Sequence, residues 1–492
     1  MIASVAIRVD SSRYLGAGHL MRCLALADGL VRRHIQVYFV CRDMPGHWMY
    51  RLRERHYPVY VLPLEIQKSA WEQDAVETIR VLEHVSPVDC LIVDHYDLDR
   101  AWEERLRPYA KQIVVLDDLA NRQHECDGLL DPTLGRQRSA YQALVPAHAR
   151  LLLGPEYALL AQSFSQKRLE ALRRRHRDSV ETVLVSMGGT DSQNVTAFVV
   201  DVLQQAHFNV DVRVMMPAHA PHRVSESARI QLEYGVEELA DKMIHADLAI
   251  GAGGTTSWER CCMGLPTLLV VTADNQLAVA QELYRAGAIQ LLGKAGALNT
   301  AAFIEIMRDM LHHPDRLRLM SAAAASICDG YGVNRMVAEL QPQCTREGAW
   351  VRCRKVQASD SAILFQWQHH PSTRQFARYP YPPGEAEHNE WLQQRLTDPQ
   401  CVFHLLLYND EPAGVLRLDR KTGRENVYEV SILTAPHYRR LGVAAAGLKL
   451  IRYMFPDWEL HAEVLSGNEA SHALFQSVGY RSFKGIYIHS VV

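Results

Sequence analysis

One unit recurs through the first 340 residues of this 492-residue chain and constrains its fold more than any other feature: a short apolar run, a turn rich in glycine or acidic residues, then a helical stretch. Ile2–Val9, Gln36–Val40, Val59–Leu62, Cys90–Val93 and Gln112–Leu116 read as strands, and His19–Arg32 and Ala70–His84 as helices. Short apolar strands alternating with helices predict a parallel sheet covered on both faces. Asp10, Asp94 and Asp117 fall just beyond the carboxyl ends of three strands. Open α/β sheets take ligands at that edge.

An Arg-rich helical stretch, Tyr157–Arg177, follows, and then the pattern restarts. Thr182–Ser186, Val210–Met215, Leu248–Gly251 and Thr267–Val271 read as strands, and Asn275–Ala288 as a helix. Two such domains face to face make a cleft, a preferred place for small ligands. The character changes again near Gln341–Gly348. A strand at Trp350–Arg354 and two helices precede an antiparallel meander, His404–Tyr408, Ala413–Leu418 and Tyr428–Leu433. A helix at Val443–Met454 and a helix–strand unit close this α+β part. The expected domains are 1–155, 180–340 and 349–492.

The net charge is −3, so no global basic field exists to hold nucleic acid. The basic run Arg173–Arg177 reads as a solvated linker or helix face. The ten cysteines form no CxxC pair, which speaks against structural zinc, and a chain this long needs no disulfide staples. A reducing, cytoplasmic setting is expected. The apolar start meets Asp10 after nine residues and reads as a strand, not a secretion signal. No apolar run approaches the roughly 20 residues that span a bilayer. Neither membrane nor nucleic acid is an expected partner, and homo-oligomerisation stays open.

Two glycine loops carry the chemistry of the front half. In Asp10-Ser-Ser-Arg-Tyr-Leu-Gly-Ala-Gly-His19 a strand ends, Gly16 and Gly18 shape a loop, and His19 opens a helix. Glycine lets backbone approach a ligand, and free N–H groups at a helix start attract anions. A histidine there can serve as a base near neutral pH. In Gly251-Ala-Gly-Gly-Thr-Thr-Ser-Trp-Glu259 a strand again enters a glycine loop, with a helix starting near Thr255. Gly253 and Gly254 would expose amides to a diphosphate, and Glu259 could accept bonds from both ribose hydroxyls. Gly188-Gly-Thr190 repeats the theme.

These segments resemble the UDP-2,4-diacetamido-2,4,6-trideoxy-β-L-altropyranose hydrolases of pseudaminic acid biosynthesis. So do Asp94-His-Tyr96, Asp117-Asp-Leu-Ala-Asn-Arg122, Cys126-Asp127, Leu130-Asp-Pro132, Ala273-Asp-Asn-Gln276 and Asp329-Gly-Tyr-Gly-Val-Asn-Arg335. The resemblance covers about residues 1–340. It implies a GT-B architecture similar to the MurG glycosyltransferase: a pair of doubly wound parallel-sheet α/β domains. It implies that His19 orients or deprotonates the water that attacks the anomeric carbon. It makes Asp10, Gly18, Arg22, Tyr96 and Asn275 candidate sugar- or phosphate-side contacts, and assigns Gly253, Gly254, Ser257 and Glu259 to UDP. No metal cluster is visible in the sequence, so helix-terminus amides are expected to stabilise the charge.

In the rear part, Tyr428-Glu-Val-Ser-Ile-Leu433 leads into Arg439-Arg-Leu-Gly-Val-Ala444 and an amphipathic helix. Loop amides at a helix start can cradle the pyrophosphate of coenzyme A. This segment, with Asn468-Glu-Ala-Ser-His-Ala-Leu-Phe-Gln-Ser-Val-Gly-Tyr480 downstream, resembles the GNAT acetyltransferase superfamily over about residues 350–492. The resemblance implies an α+β GNAT domain with acetyl-CoA as co-substrate and Arg439, Gly442, Ala444 and Asn468 at the cofactor. Glu429 is the candidate general base, directly or through water. Tyr438 and His437 are weaker candidates for proton donors. Phe475 stands where many members carry a tyrosine proposed to protonate the departing thiolate.

Together the resemblances imply consecutive steps on one UDP-sugar. The first is 4-N-acetylation of UDP-4-amino-4,6-dideoxy-N-acetyl-β-L-altrosamine, and the second is hydrolytic release of UDP. Two alternatives stay open: a MurG-like glycosyltransferase in front, and a regulatory or inactive acetyl-CoA-binding module behind.

Overall fold

The structure, a computed structural model, describes all residues except 1, 64–70, 86–87, 176–178, 190, 192, 217–223, 225, 235–238, 378, 399, 425, 484 and 491–492. It divides into two compact units, Ile2–Met336 and Val337–Val492.

The first unit holds two parallel sheets. The front sheet contains β1 (Ser4–Val9), β2 (Gln36–Arg42), β3 (Val59–Leu62), β4 (Val88–Asp94), β5 (Ala110–Leu116), β6 (Gly128–Asp131) and β7 (Arg150–Leu153). Their order is β3-β2-β1-β4-β5-β6-β7, with every pairing parallel. The central strands β1 and β4 are buried along their whole length, as continuous apolar runs in a two-faced sheet must be. Sequence periodicity predicts five strands here; β6 and β7 add two. Each has only four residues and follows a loop rather than a clear amphipathic helix, so neither periodicity nor alternation marks it.

The second sheet contains β8 (Thr182–Ser186), β9 (Asp211–Met216), β10 (Ile230–Tyr234), β11 (Leu248–Ala252), β12 (Thr267–Val271) and β13 (Gln290–Lys294). Its order is β10-β9-β8-β11-β12-β13, again all parallel. The two strands absent from the sequence prediction, β10 and β13, lie at the edges, where half-exposed polar residues break the apolar run. The Arg-rich stretch is helical over Gln162–Arg174, shorter than predicted. Pro155–Tyr157 forms a 3₁₀ turn before it.

The second unit is a mixed sheet of β14 (Gln343–Cys344), β15 (Trp350–Lys355), β16 (Cys401–Tyr408), β17 (Glu411–Arg420), β18 (Val427–Thr434), β19 (Glu459–Glu463), β20 (Arg481–Phe483) and β21 (Ile486–His489). The order is β14-β15-β16-β17-β18-β19-β21-β20. All neighbours are antiparallel except β18 and β19, which run parallel. That parallel pair is short: only Val427, Tyr428 and Glu429 register with Glu459, Leu460 and His461. Beyond Glu429 the strands splay. Two parallel-sheet α/β domains followed by a mixed-sheet α+β domain describe the fold, the architecture the sequence predicts. No described helix is long and apolar enough to cross a membrane.

Candidate functional site

Three helix starts share one property. Gly18–Val31, Thr255–Cys262 and Val443–Met454 each begin with no side-chain cap on their first N–H groups. Uncapped first-turn amides are free donors at the positive end of the helix dipole. The first two follow strands of the front unit's two sheets, and they converge. A Cβ on Gly18 would meet Thr255 Oγ1 at 3.5 Å, and one on Gly189 would meet the Ala17 nitrogen at 3.5 Å. The glycine loops of both sheets thus lie against one another. Thr190 lies outside the described residues.

Beside the first of these loops, His19 Nδ1 lies 2.6 Å from Asp94 Oδ1. Arg22 grips the same carboxylate with two bonds, Nε to Oδ2 at 2.7 Å and a terminal nitrogen to Oδ1 at 2.6 Å. The Cys23 thiol donates to Asp94 Oδ2 at 3.3 Å. Asp94 is 1% exposed. Burial alone would raise its carboxyl pKa; the Arg22 and His19 charges and bonds outweigh this and hold it well below the usual carboxylate range. An ionised carboxylate only accepts, so the bond to Asp94 requires the proton on Nδ1, and in the neutral ring the lone pair then falls on Nε2; a terminal nitrogen of Arg22 also lies 3.1 Å from Nδ1. Nε2 has no hydrogen-bond partner among the described residues, and the ring is 16% exposed. Arg22 also reaches Asp118 at 3.1 Å, and the Tyr96 hydroxyl donates to Asp118 at 2.8 Å. The Tyr96 ring meets the His19 ring edge-on, 4.7 Å between centroids. The result is an imidazole held in one orientation beside the glycine loops by a buried ion pair.

His19, Arg22 and Tyr96 therefore come together, and Gly18 abuts them. Asp10 belongs to a different network. Both its oxygens are taken by Arg8 at 2.6 and 2.9 Å, with the Arg42 amide at 2.7 Å and His95 at 3.1 Å adding to them. Arg8 and Arg42 continue to Asp74. Asp10 thus ties the strand ends together from inside the sheet. Asp94 and Asp118 complete the His19 cluster; the sequence reading put Asp94 at the ligand-binding edge and Asp118 in a motif, but gave neither a role. Their positions at a strand end and in Asp117-Asp118 were the available signal.

On the other side, Gly254 caps its helix at φ +103°, a conformation that favours glycine. A Cβ on Gly253 would come within 2.9 Å of Gln276 Cβ. Gln276 is itself fixed, accepting from the Thr272 amide at 3.0 Å. Glu259 is half-buried, and burial pushes its carboxyl pKa up to about 7 against the neighbouring Arg260 charge. Ser257 lies beneath the loop, with its hydroxyl accepting from Arg260 at 3.2 Å. Asn275 is exposed in the 3₁₀ turn after β12. Among the described residues no group of three or more His, Cys, Asp or Glu could hold a metal ion.

In the rear unit the splay opens into a cavity of about 1190 Å³. Glu429–Thr434 of β18 line one wall and Glu463–Leu465 the other. Gly442, Val443 and Ala444 bring the helix start to it, with Gly442 at φ +82°. Arg439 lines the cavity and donates to the Ser372 carbonyl at 3.3 Å and Thr373 Oγ1 at 3.1 Å. Asn468 also lines it, while its side chain caps the next helix by accepting from the Ser471 amide at 3.2 Å. Phe475 reaches the cavity wall from a buried position, packed edge-on to Tyr480 at 5.0 Å and over Tyr487 at 5.7 Å. Tyr438 lines the cavity; His437 is exposed outside that lining.

Comparison with known proteins follows this division. Residues 363–480 match the Acetyltransferase (GNAT) family model. Over 348 residues the chain is 25% identical to the spore coat polysaccharide biosynthesis protein SpsG of Bacillus subtilis, covering 68% of this chain and 97% of that one. It is 29% identical over 192 residues to the UDP-2,4-diacetamido-2,4,6-trideoxy-beta-L-altropyranose hydrolase of Campylobacter jejuni, covering 39% of this chain and 62% of the hydrolase. An uncharacterized protein of Methanocaldococcus jannaschii is 22% identical over 98% of this chain and 97% of its own length. The crystal structure of Acinetobacter baumannii MurG superposes on 69% of this chain with a TM-score of 0.50 at 16% identity, covering 99% of MurG, a likeness of fold.

Proposed function

We propose that the chain is a bifunctional, cytoplasmic enzyme of pseudaminic acid biosynthesis. Its rear domain acetylates the 4-amino group of UDP-4-amino-4,6-dideoxy-N-acetyl-β-L-altrosamine, and its front half releases UDP from the product. The observation that carries the hydrolase reading is the His19–Asp94–Arg22 cluster where two glycine loops meet. In this reading His19 Nε2 takes a proton from water as its oxygen bonds to the anomeric carbon. The bond from that carbon to the diphosphate oxygen breaks, and UDP departs. Amides at Gly253–Thr255 and the second helix start stabilise the diphosphate, and Glu259 accepts from the ribose. The partial identity to a UDP-sugar hydrolase supports this reading.

For the rear domain, acetyl-CoA lies in the splay with its pyrophosphate on the Arg439–Ala444 loop. The sugar amine attacks the thioester carbonyl, Glu429 accepts a proton directly or through water, and the thiolate leaves. With Phe475 in the wall, protonation of that thiolate falls to Tyr438 or to solvent.

The MurG-like fold favours one second reading, a glycosyltransferase. UDP release from the diacetamido sugar measured with and without added acceptors separates the two. Acceptor-independent release supports hydrolysis, and strict dependence on an acceptor supports transfer.

A further inference from the structure

Beneath the second glycine loop lies an arginine that no step above uses. Arg260, on the helix Thr255–Cys262, is 3% exposed. One terminal nitrogen donates to the Ala252 carbonyl at 2.6 Å and to Ser257 Oγ at 3.2 Å. Its Nε and other terminal nitrogen are buried with no hydrogen-bond partner among the described residues. The guanidinium fills the space where a side chain at Gly251 would go. A Cβ there would come within 2.5 Å of the unpartnered nitrogen and 2.9 Å of the Ser186 carbonyl. The charge therefore rests against the carboxyl ends of β11 and β8, under the loops that follow both.

Other buried arginines of this unit are compensated. Arg8 holds Asp10 and Asp74, Arg22 holds Asp94, and Arg335 is paired with Asp329. Arg175 spends its donors on the carbonyls of Met263, Ala246 and Met243. A buried charge without a partner is strongly unfavourable, so a fold that keeps one gains something from it elsewhere. The adjacent acid, Glu259, makes no ion pair with Arg260 within 4 Å among the described residues, and its burial works against the charged form that would neutralise the arginine. Directly above are uncapped first-turn amides and two glycines, surfaces suited to an anion.

We propose that Arg260 is the buried counter-charge for a nucleoside diphosphate seated on the Gly251–Thr255 loop. It is a positioning residue: it holds the Ala252 carbonyl and Ser257 in place, and its charge acts on the ligand through the loop. This rests on the reading of that loop as the diphosphate site. The charge explains why Gly251 carries no side chain, and it adds a field that uridine alone cannot exploit.

The test is calorimetric titration of the full chain with UDP, UMP and uridine, at low and physiological salt, for wild type, Arg260→Lys and Arg260→Gln. Wild type is expected to bind in the order UDP, UMP, uridine. Arg260→Gln should weaken UDP about tenfold or more and UMP less, with uridine changed under about twofold. Arg260→Lys should keep most of the preference. A collapsed loop would instead weaken all three ligands alike, and that result, or wild-type ratios in Arg260→Gln, overturns the proposal. A wild type that binds UDP no better than uridine overturns both the proposal and the reading of the loop. Where Arg260→Gln fails to fold, the wild-type Arg260 Nε–H resonance decides: it should move on adding UDP and stay within noise on adding uridine. No response to UDP overturns the proposal.

Discussion

Replacing Asp94 by asparagine separates the two jobs that the buried carboxylate performs. It fixes the proton on His19 Nδ1 at 2.6 Å, and it neutralises Arg22 through bonds of 2.6 and 2.7 Å. An asparagine amide is neutral and can donate as well as accept, so the histidine tautomer is no longer imposed. A positioned general base contributes about 10²–10⁴-fold, or about 2.7–5.4 kcal/mol at 1.36 kcal/mol per decade. The hydrolysis kcat of Asp94→Asn should fall by that range. Breaking a buried pair costs about 3–5 kcal/mol, reduced here because Arg22 retains Asp118 at 3.1 Å. The stability loss also has a pH signature. Asp94 is held below the usual carboxylate range when folded, so its contribution is present above about pH 4 and is lost as pH falls. The gap between wild type and Asp94→Asn should therefore narrow in acid. Urea unfolding from pH 3 to 7 and single-turnover UDP release measure the two effects. A folded Asp94→Asn protein that hydrolyses within about threefold of wild type would refute the tautomer argument.

Further outcomes follow from the same geometry. Gly253→Ala places a Cβ 2.9 Å from Gln276, so UDP affinity should drop about tenfold or more in a titration, with the acetyl-transfer rate unchanged. The Glu259 carboxyl is raised to about 7 when folded, so between roughly pH 4.5 and 7 the folded state holds a proton that the unfolded state releases. Wild-type Tm should therefore fall relative to Glu259→Gln as pH rises through that window, and parallel melting curves would contradict it. Glu429→Gln should lower acetyl-transfer kcat about 10²–10⁴-fold with the KM for acetyl-CoA little changed; an unaltered kcat removes Glu429 as the base.

Much of this was legible because the central strands are uninterrupted apolar runs. β8 and β12 and the helix Val443–Met454 have the bounds that the sequence predicts. Edge strands such as β10 and β13 mix polar residues into short runs, and periodicity cannot separate them from loops. At the site, the sequence exposed residue types at a sheet edge but not their partners. Asp10 and Asp94 look equivalent in sequence, each closing a buried strand, yet one is saturated by Arg8 and Arg42 and the other carries His19. Ser257 reads as a loop hydroxyl, and only packing turns it down onto Arg260. Which carboxylate meets which cation depends on residues 66 to 85 positions apart, as in Arg8–Asp74 and Asp10–His95, and single-sequence reasoning has no access to such pairs.

The most direct test of the two-step account is an NMR time course with UDP-4-amino-4,6-dideoxy-N-acetyl-β-L-altrosamine and acetyl-CoA, run on wild type and His19→Ala. The account predicts free diacetamido sugar and UDP from wild type, and accumulation of the acetylated UDP-sugar from His19→Ala. Release of UDP by His19→Ala at the wild-type rate, or no loss of UDP from either protein, contradicts it.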